Sequence, residues 1–179
     1  MSLALGGFSI AAALLCLGGA SKAWSPQDTT NALRASGVPA NDLVVRLGGL
    51  AEAALGAVAL VRADPTTAAL VALSYFAFAA FVVVALVRHT PLASCGCIGK
   101  TDSPPSLTHV VVDVIAGVCA LAVWADPGPD LPAQISAQPL LGIPYVVLLL
   151  TGVVLAFLVL ARLPRLMALA RVEGPDRHA

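Results

Sequence analysis

Five stretches of this chain are long and apolar enough to cross a hydrocarbon layer about 30 Å thick, which takes roughly 20 residues of helix. They run approximately over 3–23, 43–61, 67–87, 107–125 and 140–161. The expected fold is all-α: an integral membrane helical bundle of about five transmembrane helices, a four-helix core plus a C-terminal helix. The whole chain, 1–179, then forms a single membrane domain, with a polar tail over 162–179. Composition agrees, at 59% hydrophobic and 11% charged residues with a mean hydropathy of +0.91, against roughly 45–50% and about 25% in soluble domains. Net charge is zero and no basic block occurs, which excludes the electrostatic footprint of a nucleic-acid binder. The first window has no basic residue before its apolar run and continues at spanning length, so it reads as a retained helix rather than a signal peptide.

The connections differ in character. After Trp24, expected to anchor the first helix among headgroups, a polar segment of the chain reaches Asp42, and its 31–36 portion suits a short interfacial helix. Arg62-Ala63-Asp64-Pro65 is a tight turn that predicts antiparallel, neighbouring second and third spans. Ser106 follows Pro104 and Pro105 and is placed to cap the fourth span by accepting from its first free amides. Segment 126–138 is Pro-rich, and Arg162, Arg165, Arg171 and Arg177 follow the fifth window. With five spans, nine of the ten basic residues fall on one side, and the positive-inside rule makes that side, with the segment between the third and fourth spans, cytoplasmic.

That segment carries the chemistry. Cys95-Gly96-Cys97 sits within a run of turn formers bounded by apolar stretches. Two thiols one residue apart can close only a strained disulfide, and strain eases reduction, so the pair suits electron exchange better than stapling. A bridge this local closes almost no loop and would stabilise little. His109 falls in the first turn of the fourth span and Asp113 one turn later on the same face. An imidazole near a cysteine, and the positive end of a helix, both favour the reactive thiolate, so the two residues are candidates for thiol activation or a proton relay. The bland alternative is an interfacial histidine and a buried acid tied to a neighbouring helix. Cys95, Cys97, His109 and Asp113 also make four metal-ligand types, but a pair separated by one glycine chelates a tetrahedral ion poorly, and no metal site is expected.

Glu52 lies inside the second window, flanked by Gly48-Gly49 and Gly56, a spacing that admits a second backbone closely. Arg46, Arg88 or a water are its expected partners; a proton-carrying or quinone-contacting role is the sharper reading, since intramembrane acids often mark pathways. Cys16 and Cys119 read as small buried hydrophobes, or as a second relay pair if the first and fourth spans pack together. Tyr75, Phe76, Phe78 and Phe81 read as packing on the third span. No cofactor is predicted, and a quinone is a candidate that no residue pattern supports.

The chain resembles the methylamine utilisation protein MauE family, within the wider set of DoxX-like small membrane bundles. The resemblance rests on Cys95-Gly96-Cys97-Ile98-Gly99 after a span, a Pro-containing turn, a new span near His109, and Glu52 followed by Gly56 in an earlier helix. Ile98 stands where the family usually has Phe. The resemblance implies an accessory role in maturation of a disulfide-rich client, by thiol–disulfide transfer through Cys95 and Cys97 with a thioredoxin-like partner. It also implies thiols facing outward, from the bacterial cytoplasmic membrane, against the charge count. A thiol–disulfide oxidoreductase is thus the enzymatic class indicated. The alternative from a different class is a noncatalytic membrane scaffold or assembly factor, and a solute transporter is disfavoured by the few polar groups within the spans.

Overall fold

The computed structural model describes residues 3–88 and 106–172, apart from 129, 131, 134, 135, 137 and 138. Six helices make up the described chain: α1 Leu3–Trp24, α2 Gln27–Ala35, α3 Asp42–Val61, α4 Pro65–Val87, α5 Leu107–Ala125 and α6 Pro139–Val172. Four of them, α1, α3, α4 and α5, are long and apolar enough to cross a membrane, and α6 holds a shorter apolar stretch over Pro144–Leu160. The protein is an all-helical membrane bundle. The 34 residues of α6 extend about 51 Å at 1.5 Å per residue, well beyond a core of about 30 Å. Helix thus continues through much of the stretch read as a polar tail, to Val172.

Local sequence sets the helix starts. Asn41 is extended and its side chain accepts from the Val44 amide at 2.8 Å, opening α3. Asp64 does the same for α4, accepting from Thr66 and Thr67 at 2.9 and 3.1 Å ahead of Pro65 at the first helical position. Those bonds hold the Asp64 carboxyl below its ordinary range, the amide of Thr67 acting most strongly. α2 begins four residues earlier than expected, directly after Pro26. Thr30 explains it: its one hydroxyl proton is shared between Asp42 Oδ1 at 2.7 Å and Pro26 O at 3.0 Å, fastening α2 to the start of α3.

The spans pair as α1 with α3 and α4 with α5, far more extensively than α3 with α4. The tight turn at Arg62–Pro65 reverses the chain without making α3 and α4 main partners, because the small residues of α3 match α1 instead. A Cβ at Gly56 would lie 2.5 Å from Cys16 N and 2.6 Å from Ala12 O, and one at Gly49 would lie 2.7 Å from Gly19 O. Only glycine allows backbones this close, and in lipid such contact, rather than water exclusion, drives association. The α4–α5 pair instead seats the Phe76 ring where a Cβ of Gly117 would be, at 2.8 Å. Tyr75 joins the two pairs, donating to Ala11 O at 2.7 Å. The core collects Leu5, Phe8, Ala12, Val71, Ala120 and Val123, all under 4% exposed. At that end the Ala63 amide, in the α3–α4 turn, donates to Asp130 Oδ1 at 2.8 Å.

Candidate functional site

At the opposite end, the bundle buries charge. The inward face of α5 is set by His109, Asp113, Ala116, Gly117, Ala120 and Val123, a spacing of three and four residues. His109 is 2% exposed and Asp113 7%. Ser106 starts α5 in an extended conformation but makes no side-chain cap. Its hydroxyl turns to the imidazole, 2.8 Å from His109 Nδ1, in a bond whose direction depends on the tautomer. The serine side chain is thus turned to His109 and not to the free amides, which corrects the expected cap.

Glu52 is paired with Lys22, Nζ to Oε2 at 2.6 Å, and not with Arg46 or Arg88. Arg46 lies six residues earlier, about 240° around a helix of 3.6 residues per turn, and so on a different face. Arg88 ends α4 at an exposed position. Lys22 reaches Glu52 because α1 lies against it at the glycines: a Cβ at Gly49 would meet Lys22 Cβ at 2.9 Å, and one at Gly19 would meet Glu52 Cβ at 2.9 Å. The ammonium also lies over the Phe78 ring, 4.3 Å from its centroid, a favourable contact with the negative ring face. Phe78 is edge-on to Tyr75 at 6.0 Å. The aromatic run read as plain packing therefore also shields a cation.

Lys22, Glu52, His109 and Asp113, from three helices, line one small cavity of about 40 Å³ with Tyr75 and Phe78 among its walls. Space of this size suits one or two waters. On the other side of Lys22, Glu52 and Phe78 opens a larger groove of about 280 Å³ between α2, α3 and α4. Such an arrangement can hold and relay protons near the start of α5. In the sequence Lys22 stands out only as one of the nine basic residues that set orientation. The signal was there as a repeated spacing: Gly19 precedes Lys22 by three residues, and Gly49 precedes Glu52 by three.

Cys95 and Cys97 lie outside the described residues; in sequence they fall between Arg88, which ends α4, and Ser106, which starts α5. Cys16 and Cys119 are free thiols. They do not meet as a relay pair: Cys16 packs on Gly56, while the place of a Gly7 Cβ is 2.6 Å from Cys119 Sγ. Gly7 and Cys16 are nine residues apart on α1, about 13 Å along its axis.

A family model described as methylamine utilisation protein MauE matches residues 1–126. The chain belongs to the MauE family. The match takes in α1 to α5 and hence Lys22, Glu52, His109 and Asp113, as well as Cys95 and Cys97. No curated protein and no solved structure matches the chain. This MauE-family bundle carries Lys22, Glu52, His109 and Asp113 around one cavity near the start of α5, and α6 lies beyond the matched region.

Proposed function

We propose that the protein is a thiol–disulfide exchange protein of the bacterial cytoplasmic membrane, supporting disulfide formation or maturation of a client through Cys95 and Cys97. One cysteine thiolate attacks a disulfide of the partner, whose S–S bond breaks as a mixed disulfide forms and the departing sulfur takes up a proton. The second cysteine attacks the mixed disulfide, closing Cys95 to Cys97 and releasing the partner as a dithiol; run in reverse, the same steps oxidise the client. A thioredoxin-like protein is the partner class this chemistry suits.

The observation that carries the reading is the join between sequence and site: the Cys95-Gly96-Cys97 segment runs into α5 at Ser106, and α5 buries His109 and Asp113 within its first two turns. A thiol becomes reactive when a base takes its proton or a positive environment favours its anion. His109, bonded to Ser106, has the chemistry for the first, and the α5 N-terminus for the second.

The test labels intact cells with a membrane-impermeant maleimide, with and without mild reductant, and locates the label by mass spectrometry. Label on Cys95 and Cys97 only after reduction indicates an external, reversible disulfide and supports maturation of an exported client. Label only after permeabilisation sinks that role. Replacing one cysteine by serine is expected to accumulate a mixed disulfide with a partner; unchanged client maturation in both single variants would favour a noncatalytic assembly factor.

A further inference from the structure

The groove between α2, α3 and α4 is apolar along its length and ionic at its inner end. Ala32, Leu33, Val45, Gly48 and Phe81 form its walls, while Lys22 and Glu52 line both it and the smaller cavity that holds His109 and Asp113. Along α3 it runs from Val44 to Glu52, about 12 Å at 1.5 Å per residue, from the first turn of a spanning helix toward its middle. We propose that this groove binds the ring of a membrane quinone, with Lys22 and Glu52 at the ring oxygen.

The ion pair selects that chemistry. Lys22 Nζ gives one bond to Glu52 and an ammonium has three donors, so a carbonyl oxygen can be accommodated without breaking the pair. An anionic headgroup would face the Glu52 carboxylate at once, and an acyl chain would lay hydrocarbon on an ion pair and recover nothing for its lost hydration. A quinone is neutral in both redox states. Its carbonyl accepts from Lys22, and the hydroxyl of the quinol donates to Glu52, so one donor and one acceptor serve both forms. Phe78 and Phe81 offer rings beside it. At about 280 Å³ the groove is near the lower bound of small-molecule sites, about 300 Å³, which fits a substituted single ring whose isoprenoid tail stays in lipid.

The consequence rests on the thiol–disulfide reading above. Regenerating the disulfide from its dithiol breaks two S–H bonds, forms one S–S bond and releases two electrons and two protons. A quinone takes up both, forming two O–H bonds as quinol. Lys22 and Glu52, shared between groove and inner cavity, are the groups that can pass those protons.

The full chain in nanodiscs of quinone-free phosphatidylethanolamine and phosphatidylglycerol, photolabelled with a short-tailed azido-benzoquinone, tests the site. Label is expected within α2 and α3, displaced by short-tailed benzoquinone but not by a fatty acid of equal length. Lys22→Met is expected to weaken competition about tenfold, the loss of one charge-assisted hydrogen bond. Gly48→Leu is the safer variant: a Cβ there meets nothing within 4 Å, so the side chain fills the groove with the ion pair untouched, and labelling should vanish. Equal displacement by the fatty acid, or labelling that survives Gly48→Leu, overturns the proposal. The Cys95→Ser/Cys97→Ser variant separates the two readings. It should still label, so a chain that labels without exchanging thiols keeps the groove and loses the exchange role, and thiol exchange without displaceable label does the reverse.

Discussion

The two ends of the bundle solve different problems with the same helices. Where α1 begins and α5 finishes, Leu5, Phe8, Val71, Ala120 and Val123 interlock with scarcely any exposure; where α1 finishes and α5 begins, Lys22, Glu52, His109 and Asp113 surround a cavity. In lipid, apolar side chains gain little by leaving the solvent, so the first end is held by shape. The second spends that packing on ionisable groups, which are costly within a membrane and are kept where they act. One end holds the helices at fixed spacing so that the other can stay hollow.

Variants along the bundle can break this division. The largest loss is expected from Gly56→Leu, since its Cβ alone would meet the backbone of Cys16 and Ala12 at 2.5–2.6 Å. Separating α1 from α3 should cost about 3 kcal/mol or more, read as a lowered midpoint of unfolding in mixed detergent, and it should disturb both ends together. Phe8→Ala, a cavity at a side chain 1% exposed, is expected to cost about 3 kcal/mol in the same assay, while leaving thiol reactivity unchanged. If Phe8→Ala altered maleimide reactivity of Cys95 and Cys97 as much as stability, the two ends would not be independent.

Lys22→Met should reverse that pattern. It strands a carboxylate that is 23% exposed and costs about 2 kcal/mol, less than for a fully buried pair, and the Lys22→Met/Glu52→Leu double variant should recover more than half of that. The rate of thiol alkylation measured against pH is expected to change in the single variant. The smallest effect belongs to Asp64, outside the spans. Its carboxyl is held below the usual range in the folded protein, so the cap's contribution is complete above the unfolded value, near pH 4, and fades as pH falls through the lower folded one. Asp64→Asn keeps a capping oxygen but not its charge, so thermal stability should fall slightly at pH 7 and converge with that of the unaltered protein as pH drops below about 4.

Apolar length made the spanning helices legible, because a membrane demands it of each helix separately. Pairing was less so. Arg62–Pro65 announces a reversal, but which helix then packs on which depends on small residues meeting across the bundle, and Gly19, Gly49 and Gly56 mean this only once α1 lies on α3. The spacing of His109 and Asp113 showed that they share a face, since four residues is a local relation. Glu52 and Lys22 are 30 residues apart, and the intuition that an acid pairs with the nearest arginines pointed to Arg46 and Arg88. Ser106 was misread for the opposite reason: the rule for a serine before a helix is sound, but it does not foresee an imidazole within reach. Cys95 and Cys97 remain legible as chemistry through their spacing alone.

The glycines between α1 and α3 also decide where a charge sits. With ordinary side chains at Gly19 and Gly49, whose Cβ atoms would lie under 3 Å from the facing helix, the helices would have to move apart, and the Lys22–Glu52 contact of 2.6 Å would stretch. Two absent methyl groups thus work as a ruler that draws an ammonium inward. A change at either glycine would then alter the protein's electrostatics without altering any charged residue.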